Sequence, residues 1–270
     1  MNKIQLNRYP NGSYYGLIMS YDDGSDGDYQ LVEILNQYQL KGTFHLYSCV
    51  LDQPTFICRK DIPTLYQGHE VSIHTTNHLH LPQVPISQQV YELFDNKQEL
   101  ESLVHYPMRG LSTPFGSSDE NLQILMKSLG LEYCRTVIST RKFGLPEDYL
   151  KWNPTLHLKQ NEDDLIKEFF HNPFKEMRLF FNWGHSYEFR NEDKWDVFEH
   201  FCKQMTSYEP ICSLTMSEMK DYLDALHHLV FTTKQDYVFN PSGIDVCISC
   251  NDKLVKIPAR STVYLGGSNE

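Results

Sequence analysis

Three polar clusters punctuate the apolar stretches of this 270-residue chain: Asp22-Asp23-Gly24, the run from His74 to His78 (HTTNH), and Trp183-Gly184-His185. Each directly follows a segment that reads as a buried strand: YGLIMSY (Tyr15 to Tyr21), EVSI (Glu70 to Ile73) and MRLFFN (Met177 to Asn182). One carboxylate and two imidazoles with an open fourth position make a hydrolytic metal site. A cation held there lowers the pKa of a bound water from about 15.7 to about 7, and a second carboxylate beside the ligand can accept the water's proton. Taken singly, each cluster has an ordinary explanation. Asp-Asp-Gly is usually a turn, and a pair of histidines is more often structural. His69 and His80 lie near enough to substitute as ligands. Asp22, Asp26, Gly27 and Glu33 partly match a calcium loop, but Gly24 stands where a third ligand belongs and a strand leads in. The three clusters together, in order and at strand ends, favour a hydrolytic metal site.

The elements that must position them alternate. Helical spacing of apolar residues appears in Asp28 to Gln39 (Leu31, Ile34, Leu35, Tyr38) and in Ser87 to Leu103 (Val90, Leu93, Phe94, Leu100). Ser117 with Glu120 and Thr215 with Glu218 have the spacing of capping boxes and open two further helices. Further helices are expected over Glu162 to Phe170 and Lys194 to Met205, and further strands over Gly42 to Tyr47 and Tyr133 to Val137. Repeated strand–helix units imply a parallel sheet, closed into a barrel or doubly wound. Active sites in such folds lie at the C-terminal ends of the strands. No Gly-rich phosphate loop follows the first strand, which weakens a nucleotide-binding reading. After Phe231 the pattern changes to short strands broken by PSG, ND and PARS turns. The expected division is a catalytic unit over residues 1–230 and a small β appendage over 231–270.

The formal net charge of -11 argues against nucleic acid or an anionic membrane surface as a partner. The 17 Tyr and 15 Phe suit stacking on sugar faces, although core packing accounts for most aromatics in any globular chain. Seven scattered cysteines fit a reducing compartment. Cys247 and Cys250 form the sole C-x-x-C and read as strand positions rather than a redox pair. The opening MNKIQLNRYPNGSYYG lacks an apolar signal core, and no apolar run reaches the roughly 18 residues of a membrane span. A cytoplasmic location is expected, and with it a soluble oligosaccharide or intermediate rather than an intact wall polymer. Self-association as a homo-oligomer is compatible with this composition.

The order of S-Y-D-D-G (Ser20 to Gly24), H-T-T-N-H (His74 to His78), R-G-L-S-T-P-F-G (Arg109 to Gly116) and W-G-H (Trp183 to His185) resembles the polysaccharide deacetylases of carbohydrate esterase family four, the NodB-homology family. The resemblance covers roughly residues 14 to 225. It implies an α/β fold, a distorted (β/α) barrel of about seven parallel strands, here with a small C-terminal β appendage. It implies that Asp23, His74 and His78 bind a divalent metal, zinc first, with cobalt, nickel or iron(II) as alternatives. It further implies Asp22 as general base, Arg109 as its ion-pair partner, a backbone N–H near Phe115 in the oxyanion hole, and His185 as general acid. Trp152, Trp183 and Tyr187 are candidates for a sugar subsite. Two motifs depart from the family pattern. Arg109 lies five residues before Pro114, farther than usual, which makes Arg135 a rival for Asp22. The family's D-x-x-D-W motif is not clean around Trp152, which leaves Glu188 as a candidate to orient His185. The expected reaction is hydrolysis of an N- or O-acetyl group on a carbohydrate. Its rivals are a deformylase or amide hydrolase on a small nitrogenous or sugar metabolite, and a carbohydrate-binding pseudoenzyme.

Overall fold

The computed structural model describes residues 2–266. Its centre is a curled, all-parallel sheet with helices packed outside it: the parallel sheet expected from the alternation of elements, in the distorted (β/α) barrel form that the family resemblance implies. In chain order the strands are β1 (Ile4–Gln5), β2 (Tyr15–Asp22), β3 (Thr43–Leu46), β4 (Glu70–Ile73), β5 (Gly110–Ser112), β6 (Tyr133–Arg135), β7 (Leu156–His157), β8 (Arg178–His185) and β9 (Ile211–Ser213). The sheet order is β6-β5-β4-β3-β2-β8-β7, with β9 also paired to β2. All eight residues of β2 are buried: β8, β3 and β9 pair with its edges, while Tyr15, Leu17, Met19 and Tyr21 pack in one core cluster and Ile18 in another. A strand enclosed in this way must read as a continuous apolar run, and YGLIMSY does.

Register places the chemistry on one rim. Asp22 aligns with His45 and with His185, Ser112 with Arg135, and His157 with Trp183. Between β6 and β8 the wall is made by residues 152–155 rather than by a full strand. Arg135 and Trp152 form one isolated parallel bridge. Trp152 N–H donates to Cys134 O at 2.9 Å, and Thr155 N–H donates to Phe181 O at 2.7 Å.

The helices are α1 (Asp28–Gln37), α2 (Ile62–Leu65), α3 (Ile86–Val104), α4 (Glu120–Ser128), α5 (Asp163–Phe170), α6 (Ser186–Asn191), α7 (Trp195–Ser207) and α8 (Met216–His227). The Thr215–Glu218 capping box opens α8 as its spacing predicts. The Ser117–Glu120 box does not form. Asp119 is the N-cap of α4 and accepts from Leu122 N–H at 2.8 Å, which satisfies an orphan donor of the first turn two residues later than the expected box would. The stripe of α3 also differs from expectation. Val90 and Phe94 are exposed, and the buried face is Gln89, Glu92, Leu93, Asn96 and Leu100. Its polar members hold the loop after β4.

The C-terminal strands β10 (Val230–Phe231), β11 (Tyr237–Phe239), β12 (Val246–Cys250), β13 (Lys253–Ile257) and β14 (Thr262–Tyr264) form two three-stranded sheets, orders β1-β12-β13 and β10-β11-β14. The N-terminal β1 thus pairs with β12 near the other end of the chain. Val238, Val246, Ile248 and Ile257 share a core with Tyr9 and with Tyr222 and Leu226 of α8, and that core continues to Ile18, Leu179 and Phe181 of the barrel. Cys247 and Cys250 are buried, unbridged strand positions whose thiols contact different carbonyls, Pro10 O and Leu265 O. Among the described residues no helix is long and apolar enough to cross a membrane.

Candidate active site

Asp23 directly follows β2, and its backbone turns into the left-handed region (φ 77°). Asp23 N–H donates to His45 O at 2.9 Å, and Gly24 continues the turn at φ 67°. The loop after β4 makes two such turns, at Thr75 (φ 70°) and His78 (φ 55°). A positive φ costs a β-branched residue most, and strain of this kind persists only where neighbours over-determine it. The support here is visible. Asn96 Oδ1 accepts from His74 N–H at 3.0 Å, both oxygens of Glu92 accept from Asn77, and Thr75 Oγ1 accepts from His78 N–H at 3.0 Å.

These turns bring the three expected ligands together. His74 Nε2 and His78 Nε2 stand 3.4 and 3.6 Å from Asp23 Oδ1, and the three donor atoms lie within 4.8 Å of one another. His74 Nδ1 lies 2.6 Å from the Ser112 carbonyl. That contact puts the ring proton on Nδ1 and leaves the Nε2 lone pair facing Asp23. Burial lowers the His74 pKa, which favours the neutral, ligating form. Asp23 Oδ1 is buried and accepts no hydrogen bond from the described residues. A buried carboxylate oxygen without a donor, facing the Nε2 lone pair of His74, is an arrangement that a bound cation would compensate. The donor set, two imidazoles and a carboxylate, therefore fits a divalent metal.

Asp22 ends β2 pointing at the same space. Its Oδ2 accepts from Ser112 Oγ at 3.1 Å and pairs with Arg135 Nη2. Burial would raise the carboxyl pKa, but the Arg135 guanidinium outweighs it and holds Asp22 well below the usual range. Arg135 is wholly buried at the end of β6, with its guanidinium 4.3 Å from the centre of the Trp183 ring. The partner of Asp22 is thus Arg135, not Arg109. Arg109 precedes β5, at the opposite end of the sheet, where it forks onto Glu132 (3.0 and 2.7 Å) and Asp221 (2.8 Å). A residue before a parallel strand cannot reach the rim that lies after it.

His185 ends β8 with Nε2 3.8 Å from Asp23 Oδ2. Its Nδ1 lies 3.2 Å from Oε2 of Glu188, one turn into α6. The same oxygen accepts from His185 N–H at 3.2 Å and meets His157 Nε2 at 2.6 Å, while Lys159 Nζ sits 3.1 Å from Oε1. Burial disfavours the imidazolium of His185, yet the Glu188 hydrogen bond and the charges of Asp22 and Asp23 outweigh it and raise its pKa. Glu188 is itself held well below the usual carboxylate range by its two histidines, against the effect of burial.

The aromatic candidates divide. Trp183 is buried between Arg135 and His157, its ring centre 4.2 Å from that of His157. Tyr187 lies against His185 at 4.9 Å. Phe115 stands at φ 61° and is 62% exposed, against His78 (4.9 Å) and His80 (5.7 Å). Trp152 does not reach this cleft. It is 2% exposed and packs among Tyr133, Tyr149 and Phe181, because its backbone is the lacing between β6 and β8. Sequence reading missed His157, Lys159, Ser112 and Tyr47, whose ring lies 5.2 Å from His78. The alternation T-L-H-L (Thr155 to Leu158) was the available sign of the strand that carries His157.

A family model for polysaccharide deacetylase matches residues 11–134. A Bacillus cereus peptidoglycan-N-acetylglucosamine deacetylase is 27% identical over 94 residues, 34% of this chain, and the matched segment spans 43% of that relative's length. Among solved structures, a Mycobacterium smegmatis protein assigned to the polysaccharide deacetylases superposes with a TM-score of 0.64 at 13% identity, over 81% of this chain and 93% of its own. Peptidoglycan deacetylase PdaC from Bacillus subtilis gives 0.54 at 16% identity, over 79% and 95%. At these identities the structural likeness speaks to the fold.

Proposed function

As the chain is a relative of the polysaccharide deacetylases, we propose that it hydrolyses acetyl groups from an amino sugar or sugar ester, using a divalent metal held by Asp23, His74 and His78. Zinc suits two imidazoles and a carboxylate best, with cobalt, nickel and iron(II) also compatible. When bound, the metal polarises the acyl carbonyl and makes water acidic.

The protein's own groups do the rest. Asp22, kept ionised by Arg135, takes the proton of the attacking water. The Phe115 backbone N–H donates to the oxyanion of the tetrahedral intermediate. His185, held by Glu188, gives its proton to the departing amine or alkoxide. Trp183 and Tyr187 flank that acid and shape the cleft where the sugar lies.

One observation carries this reading: three ligand atoms converge on a space that also meets an ion-paired carboxylate and a carboxylate-bound histidine. The test is deacetylation of N-acetylglucosamine oligomers and aryl acetates, with formylated and acetylated small metabolites in the same panel. Turnover is expected to vanish on chelation, return with zinc or cobalt, and be lost in Asp23→Ala and His74→Ala. Activity that survives chelation and both substitutions rejects the reading.

A further inference from the structure

We propose that His157, His185 and Glu188 form a second divalent-metal site, weaker than the one around Asp23, whose occupation disables the general acid. The observation is geometric. His157 Nε2, His185 Nδ1 and a Glu188 carboxylate oxygen lie within 4.8 Å of one another. Both imidazoles already address the same oxygen, at 2.6 and 3.2 Å. Their side chains are 18%, 17% and 18% exposed, so an ion can reach them. Zinc binds imidazole nitrogen and carboxylate oxygen at about 2.0–2.2 Å, which sets tetrahedral ligands about 3.3 Å apart. The His185–Glu188 pair already has that spacing, and the His157–Glu188 pair needs to open by about 0.7 Å.

Binding exchanges protons for metal with a clear balance. His157 enters as the tautomer with its proton on Nδ1. His185 releases its Nδ1 proton to solvent and keeps the one on Nε2. A ring bound through Nδ1 no longer cycles between imidazolium and imidazole, so it cannot serve as the acid. Lys159, 3.1 Å from the other Glu188 oxygen and 59% exposed, places a positive charge beside the site and weakens it.

The binding claim is independent of the proposed reaction, whereas the inhibition rests on it, so binding is measured first. Equilibrium dialysis of the chelator-stripped chain against zinc is expected to give two ions per chain, the second about 10²- to 10³-fold weaker. Asp23→Ala should lose the tight ion and keep the weak one. His157→Gln should lose only the weak one. Lys159→Ala, a surface change that leaves the fold alone, should tighten the weak site roughly two- to fivefold. Deacetylation by the wild type should rise with the first equivalent of zinc and fall with the second, and the fall should be absent in His157→Gln relative to its own maximum. A wild type that binds a single ion overturns the proposal, as does a His157→Gln chain that binds as many ions as the wild type. Two binding classes that respond as described, without turnover on any substrate, support the site and reject the reaction.

Discussion

A charged side chain with no exposure has to be answered by an opposite charge, and Arg135 answers Asp22. Removing one partner of such a pair leaves the other buried and uncompensated, at a cost of about 3–5 kcal/mol. Arg135→Ala is therefore expected to unfold at markedly lower denaturant concentration. At permissive temperature its kcat should fall by about 10²-fold or more, because an unpaired Asp22 binds a proton and no longer acts as a base. Arg109→Ala should cost about 1 kcal/mol and leave kcat unchanged, since its partners Glu132 and Asp221 remain partly solvated. Equal loss of activity in the two variants would contradict this assignment. Their positions explain why sequence favoured the wrong one. Arg109 sits inside the motif-like run R-G-L-S-T-P-F-G, whereas Arg135 lies alone in C-R-T-V. Only strand register tells which end of a strand each occupies.

At the level of elements, buried polar residues on core-packed helices hold the loops of the site. Asn96 and Glu92 lie on the buried face of α3, beside the stripe that its apolar spacing marked, and both bind the loop that carries His74 and His78. On the proposed reading, Asn96→Ala should weaken metal affinity about 10- to 100-fold in a competition titration while helix content is retained. The second case joins α1 to α6. Asp28, fully buried, accepts from Tyr66 OH at 2.6 Å and from Ser186 Oγ at 2.5 Å, and Ser186 also meets Ser25 Oγ at 2.7 Å. This ties the turn after Asp23 to the helix that starts beside His185. Burial pushes the Asp28 carboxyl up to about 7, against the pull of its two hydroxyl donors. A carboxyl whose folded pKa is raised contributes fully below its unfolded value of 3.8 and loses that contribution as pH rises through about 7. The stability of the wild type relative to Asp28→Asn should thus fall between pH 4 and 7 in chemical denaturation, and a flat difference would refute the assigned pKa. Asp22 and Glu188 act in the opposite sense, their contribution fading as pH drops below about 4.

For the molecule as a whole, the strand ends were legible and the seams were not. The polar clusters after YGLIMSY, EVSI and MRLFFN announce the rim because parallel strands must share a direction, and that direction puts chemistry at one end. The two-residue β7 showed itself only in the short alternation T-L-H-L, and His157 was passed over. Trp152 was read as part of the cleft because it could stand for the tryptophan of the D-x-x-D-W motif, whereas its backbone laces β6 to β8. The pairing of Ile4–Gln5 with β12 joins segments that local pattern cannot connect. Glu188 entered as a candidate only because the D-x-x-D-W motif around Trp152 is not clean; the structure supplies the local reason, a capping box in which Glu188 accepts from His185 N–H. Under the proposed function the metal binds the folded chain and not the unfolded one. Chelation is then expected to lower the melting temperature, and zinc at about 100-fold over its Kd should restore about 2.7 kcal/mol. A melting curve indifferent to chelator and zinc would count against a resident ion.

The left-handed turns at Asp23, Thr75, His78 and Phe115 carry one more implication. A screen for heat resistance would be drawn to Thr75 and Phe115, because glycine there relieves the backbone without removing a proposed ligand. The hardiest clones from such a screen should prove the poorest catalysts, their gain in robustness drawn from the tension that aims the site.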